Sequence, residues 1–193
     1  VTLLTALASP VLAHLALIRQ GAESRGSREP GDSMGRALAA GDFNGDGYDD
    51  LASAAPGEAL GSLSDAGAVI VNWGTAFGLT HAGSLLFTPE SLGGSDEADG
   101  RFGYALAAGD FNGDGEDDLA IGQPGYDLGG GVQDIGHVWI VIGHPSAFGG
   151  TVITRFQSDA GGSNEAGDEF GAALATGDFN GDGYDDLAVG APG

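Results

Sequence analysis

Short runs in which small and large apolar side chains alternate recur along the chain, separated by stretches rich in Gly, Asp and Pro. RALAAGD at 36–42, YALAAGD at 104–110 and AALATGD at 172–178 have the period of two expected of strands with one buried face. After an aspartate-rich string, a second apolar run begins at Leu51, Leu119 or Leu187, the first and third stopping at a Pro-Gly turn and the second at Gln-Pro-Gly. AVIVNW at 68–73 and HVWIVI at 137–142 are β-branched and aromatic and too short for helices, so they read as third strands. LLF at 85–87 and VITRF at 152–156 read as fourth strands. With 38 Gly and 7 Pro in 193 residues, long helices are not expected.

These runs belong to an internal repeat. Asp42, Asp110 and Asp178 stand at equal intervals and open the strings DFNGDGYDDLASAAPG, DFNGDGEDDLAIGQPG and DFNGDGYDDLAVGAPG. Gly35, Gly103 and Gly171 precede them at a constant distance, each after Met34, Phe102 or Phe170, and Pro56, Pro124 and Pro192 follow. Four antiparallel strands per unit is the allotment of a propeller blade, so the chain is expected to be all-β, a β-propeller of four-stranded antiparallel blades. The repeats run over about 34–101, 102–169 and 170–193, the last truncated after its second strand. That amounts to an incomplete ring of about two and a half to three blades, which reads as a fragment of a longer protein. Residues 14–193 form the propeller portion, with a stray outer strand expected at His14 to Arg19. Residues 1–18 are the most apolar stretch, and residues 1–13 read as the remnant of a signal peptide cleaved before His14.

An up-and-down sheet places alternate connections at opposite ends. The aspartate loops should therefore share an end with the connections at 74–84 and 143–151. The longer connections at 56–67, 89–101, 124–136 and 157–169 should lie at the other.

Charge sharpens the picture. There are 28 acidic residues against 6 Arg and no Lys, for a net charge of -22, which excludes a nucleic-acid binder held by phosphate contacts. The acids are clustered in the three loops, so a cation is the natural partner. With no Cys, disulfides, Cys-ligated zinc and a Cys nucleophile are excluded, and no apolar run is long enough for a membrane helix.

Counting Asp42 as position 1, oxygen side chains fall at 1, 3, 5 and 9, as Asp42, Asn44, Asp46 and Asp50, with Gly47 at position 6. Alternate residues of a tight loop point to one centre, Gly permits the sharp turn, and position 7 can turn its carbonyl inward. This hard oxygen set suits Ca2+. Asp110, Asn112, Asp114 and Asp118 repeat the pattern, as do Asp178, Asn180, Asp182 and Asp186, with Tyr48, Glu116 and Tyr184 supplying the carbonyls. Up to three calcium ions are thus expected, one per loop. Asp49, Asp117 and Asp185 at position 8 should face away from the ion, solvated or lying behind the ligands. Phe43, Phe111 and Phe179 should pack under the loops. An EF-hand needs a carboxylate at position 12 and a following helix, and here Ser53, Ile121 or Val189 stands there before a β-type run.

The combination of Phe102-Gly103, Asp110 to Asp118 and Gly122-Gln123-Pro124 resembles the Phe-Gly, D-x-N-x-D-G-x-x-D and Gly-Ala-Pro elements of FG-GAP repeats. Phe170-Gly171 through Gly190-Ala191-Pro192 matches as well, and Met34-Gly35 through Ala54-Ala55-Pro56 matches with Met for Phe and Ala for Gly. Such repeats build the propeller of integrin alpha subunits and occur in bacterial secreted or surface proteins and in glycosylphosphatidylinositol-specific phospholipase D. The resemblance implies a seven-bladed ring with structural calcium loops on one face and partners docking on the other. The Lys-free, Ala-, Gly- and Asp-rich composition is compatible with a G+C-rich bacterial genome.

The expected function is a non-catalytic, calcium-binding propeller module of an extracellular protein, secreted or at the cell surface, that mediates adhesion or protein interaction. Its partner would be a protein or glycan on the face opposite the calcium loops. The alternative is an accessory region of a secreted hydrolase or lyase. Catalysis within the chain has little support: His14, His81, His137 and His144 do not recur in register, and no nucleophile-elbow or dinucleotide motif occurs. Trp73 and Trp139 sit in strand runs and read as core.

Overall fold

The computed structural model describes residues 30–128 and 131–193. Ten strands form three antiparallel sheets. In the first, β1 (Leu38–Gly41), β2 (Asp50–Ala55), β3 (Ala68–Trp73) and β4 (Thr80–Phe87) lie side by side in chain order. The second repeats this with β5 (Leu106–Gly109), β6 (Asp118–Gln123), β7 (His137–Val141) and β8 (Val152–Arg155). β9 (Ala173–Gly177) and β10 (Asp186–Gly190) pair as the start of a third. These are the blades of an incomplete propeller ring, as the repeat predicts. Among the described residues the only helical pieces are two 3-10 turns, Glu90–Leu92 and Gln157–Ala160. The expected strand at His14 to Arg19 and the leader at 1–13 lie outside the described residues.

The register repeats from blade to blade. Gly41 pairs with Asp50, Gly109 with Asp118 and Gly177 with Asp186, so every aspartate loop spans the same pair of strand ends. The innermost strands β1, β5 and β9 stand next to one another, and Thr176 Oγ1 donates to the Ala108 carbonyl across the β9–β5 seam at 2.8 Å. Ala and Gly dominate these strands, which lets the blades approach closely near the axis.

The core lies between blades. Phe43, Val69, Val71 and Phe87 of the first blade form one buried cluster with Phe102, Leu119, Ile121, Trp139 and Val141 around the second. A second cluster joins Ala107, Ala120 and Val138 to Phe170, with Leu174, Leu187 and Val189 packed against it. Each Phe-Gly element thus plugs the gap between its own blade and the one before. Burial of each large side chain here is worth about 1.5–3 kcal/mol, so stacking the blades is the main source of their stability.

Strand boundaries depart from expectation chiefly at the first and fourth strands. The first strands of each unit are shorter, beginning at Leu38, Leu106 and Ala173. β4 is longer, beginning at Thr80 and not at Leu85. It is the outer edge of its sheet, where Thr80 and His81 need not be apolar, and the register shift between Val71 and Trp73 further masks its start. Trp73 holds this segment by donating its indole N–H to the Gly83 carbonyl at 2.9 Å.

Candidate metal centre

Strand parity puts the three aspartate loops at one end of the sheets together with the connections that follow β3 and β7. Gly74 and Gly143, at the start of those connections, donate their amides to Asp50 and Asp118, each at 2.8 Å. The connections at 56–67, 89–101, 124–136 and 157–169 leave from the opposite end.

The three loops share most of their wiring. Asp42 Oδ1 and Oδ2 accept the amides of Asp46 and Gly47 at 3.0 and 2.8 Å. Asn44 Oδ1 accepts Asp46 N–H at 2.9 Å, and Asp46 Oδ1 accepts Tyr48 N–H at 3.0 Å. In the second loop Asp110 accepts from Gly113, Asp114 and Gly115, Asn112 from Asp114, and Asp114 from Glu116. In the third, Asp178 accepts from Gly181, Asp182 and Gly183, Asn180 from Asp182, and Asp182 from Tyr184. Gly47, Gly115 and Gly183 have φ of 88°, 95° and 91°, a conformation that favours Gly at the turn.

The ninth residue closes each loop. Asp50, Asp118 and Asp186 accept the amides of Phe43, Phe111 and Phe179 at 3.0–3.1 Å. Asp50 and Asp118 are fully buried. Burial pushes each carboxyl up to about 6, against the pull of the amides of Gly74 and Phe43, or of Gly143 and Phe111, and the neighbouring loop aspartates push the same way. A buried carboxylate held among like charges is a group that a cation would relieve.

Among the described residues, no three His, Cys, Asp or Glu side chains converge as a closed cage. The structure brings each predicted set together on one short loop, with carboxylate oxygens already ordered by backbone N–H groups. Two Asp, one Asn, a backbone carbonyl and the Asp that closes each loop are hard oxygen donors of the kind calcium takes, so the donor set fits that ion.

The position-8 residues hold a partner that sequence spacing did not reveal. Asp117 Oδ2 accepts the amide of Asp42 at 2.9 Å, and Asp117 N–H donates to the Asp42 carbonyl at 3.1 Å. Asp185 does the same to Asp110, at 3.2 and 3.0 Å. Asp49 is exposed. The phenylalanines also differ: Phe43 is buried and Phe111 half-buried as expected, whereas Phe179 is 64% exposed. What covers Phe43 comes from the next blade, and no blade follows Phe179 among the described residues.

On the opposite face a pocket of about 420 Å³ is lined by Arg36, Asp65, Asp99, Arg101, Tyr104 and Asp134, among others. Arg36 lies over the Tyr104 ring at 3.9 Å, and Arg101 pairs with Asp134 at 3.5 Å and Glu169 at 3.0 Å.

A family model described as FG-GAP repeat matches residues 34–71, 102–141 and 170–193. Integrin alpha-PS2 of Drosophila melanogaster is 38% identical over 167 residues, which cover 82% of this chain and 10% of that protein. Integrin alpha-V of Gallus gallus is 36% identical over 165 residues, covering 82% and 14%. Phosphatidylinositol-glycan-specific phospholipase D of Homo sapiens is 41% identical over 102 residues, covering 48% and 11%. The chain therefore spans only about a tenth to a seventh of the length of these relatives. It belongs to the FG-GAP repeat family, with repeats of the integrin alpha type.

Proposed function

We propose that this chain is a calcium-stabilised, non-catalytic propeller module of a secreted or cell-surface protein, used for adhesion or protein interaction. The ligands are Asp42, Asn44, Asp46, the Tyr48 carbonyl and Asp50 in the first loop. Asp110, Asn112, Asp114, the Glu116 carbonyl and Asp118 serve in the second, and Asp178, Asn180, Asp182, the Tyr184 carbonyl and Asp186 in the third. The observation that carries this reading is the hydrogen-bond wiring that three loops in register share. Three carboxylates around one point repel by several kcal/mol at about 4 Å and an intermediate dielectric, and a divalent ion reverses that sign. Loops without a bidentate carboxylate at position 12 bind modestly, in the range filled by extracellular calcium.

The partner, a protein or a glycan, docks on the face opposite the loops. The integrin relatives support a protein-interaction role. Calorimetric titration with calcium tests the metal assignment: up to three sites are expected, Asp114→Ala removes one, and an unchanged heat signal between micromolar and millimolar calcium refutes it. The similarity to a phospholipase D favours a second reading, in which the blades accompany a hydrolase domain. A catalytic domain joined to these repeats in the same polypeptide would favour it.

A further inference from the structure

We propose that Asp117 and Asp185 are positioning residues for the metal loop of the blade preceding their own, so that each blade completes the calcium site of its neighbour. This rests on the calcium reading above. The first ligand of a loop, Asp42 or Asp110, has both of its backbone polar atoms held by the next blade: the amide by a carboxylate and the carbonyl by an amide. The same bracket occurs at both junctions.

Glycine makes room for it. A β-carbon on Gly41 would stand 2.7 Å from Asp117 Oδ2, and one on Gly109 would stand 2.6 Å from Asp185 Oδ2. The strand must therefore end in Gly immediately before the first ligand. A second contact lies one residue earlier in the incoming loop. A β-carbon on Gly45 would meet Glu116 Oε1 at 2.8 Å, and one on Gly113 would collide with the Tyr184 ring. Residues 7 and 8 of one loop thus rest on the first ligand and the fourth residue of the loop before.

A charge-assisted hydrogen bond to the ligand's own amide fixes its backbone before the ion arrives, which lowers the ordering that binding must impose. The carboxylate also adds negative potential next to the cation. Because the bracketing residue belongs to a different blade, blade stacking and calcium affinity become linked.

The test uses the full 193-residue chain carrying Asp114→Ala and Asp182→Ala, so that only the Asp42 loop reports. Adding Asp117→Ala is expected to weaken calcium there by about five- to tenfold, the range for losing one such hydrogen bond. Asp117→Asn keeps an acceptor oxygen but not the charge, and is expected to lose less affinity than Asp117→Ala. Asp185→Ala, which removes the bracket on the silenced Asp110 loop and not on the reporting one, leaves it unchanged. Should Asp117→Ala fail to fold, Gly41→Ala displaces the same carboxylate from the other side and is expected to give the same loss. Equal affinity with and without the bracket overturns the positioning role. A reporter chain that takes up no calcium overturns the metal assignment too, so the two failures are distinct. Hydrogen exchange at the Asp42 amide in calcium-free protein gives a readout independent of the ion. It is expected to quicken in Asp117→Ala, and an unchanged rate overturns the proposal.

Discussion

Phe43 lies flat on Phe148, with ring centroids 5.0 Å apart and planes 8° from parallel. Phe43 is the second residue of the first aspartate loop, and Phe148 comes from the β7–β8 connection of the next blade. Phe148 also meets Trp73 and Phe87 edge-on, at 6.1 and 5.6 Å, so one ring from the second blade closes the underside of the first. Phe43→Ala should destabilise the chain by about 3–5 kcal/mol. Phe179→Ala, at the same repeat position but mostly exposed, should stay within about 0.5 kcal/mol. Urea unfolding of the two variants measures the difference, and equal midpoints would mean that the stack contributes nothing.

Calcium should raise the melting temperature and a chelator should lower it. At a calcium concentration of a hundred times Kd, each filled site adds about 2.7 kcal/mol by mass action. Asp182→Ala should shrink the calcium-dependent rise while leaving the chelated protein close to the parent, because the third loop is exposed and its Asp182 supports only the Tyr184 amide. Differential scanning calorimetry with and without calcium reads both effects.

The strand order and the separation of the two faces were legible in the sequence because Ala, Gly and Leu alternate in register and antiparallel parity does the rest. The start of β4 at Thr80 was not, since an edge strand tolerates polar side chains and leaves no alternation to read. The loop wiring follows from spacing, but the partner of Asp117 lies far upstream at Asp42 and is set by how two sheets stack, which no local pattern encodes. Phe179 shows the same limit. Its loop matches the first one almost residue for residue, yet its burial depends on a neighbouring blade.

Acid and base should weaken the protein through two different residues. His137 is buried against Tyr126, Trp139 and Phe156, with neither ring nitrogen hydrogen-bonded, and burial pushes it down to about 4 although Asp159 pulls it up. Glu97 accepts from Gln123 Nε2 at 3.0 Å. Burial pushes it up to about 7, and the charges of Asp127 and Asp134 act the same way against the Asp127 amide. The His137 contribution is complete above its unfolded value near 6.5 and is lost as pH falls toward 4. The Glu97 contribution is complete below its unfolded value near 4.5 and is lost as pH rises toward 7. His137→Phe should therefore flatten the acid side of the stability profile, and Glu97→Gln the side above pH 4.5. Urea midpoints measured across pH 4–8 in chelator check both, and a variant profile parallel to the parent refutes the corresponding assignment.

Gly67 and Gly136 should be the least replaceable of the left-handed glycines. Gly67 has φ of 90°, and a β-carbon there would run into the backbone N and O of Phe102; Gly136, at 80°, would strike the same atoms of Phe170. These contacts come from the incoming Phe-Gly elements, whose amides donate to Ala66 and Ile135 at 3.0 and 3.1 Å. Gly78 is the control, with φ of 99° and nothing within 4 Å of its would-be β-carbon. Gly78→Ala should lose only the left-handed penalty, about 1–2 kcal/mol. Gly67→Ala should lose that and at least about 2 kcal/mol more, because backbone and not a flexible side chain must yield, and yielding there pulls Phe102 from the core between blades. Equal losses at the two glycines would show that the blades can part by the width of a methyl group without penalty, and the Phe-Gly element would then lose its role as the wedge that fixes blade spacing.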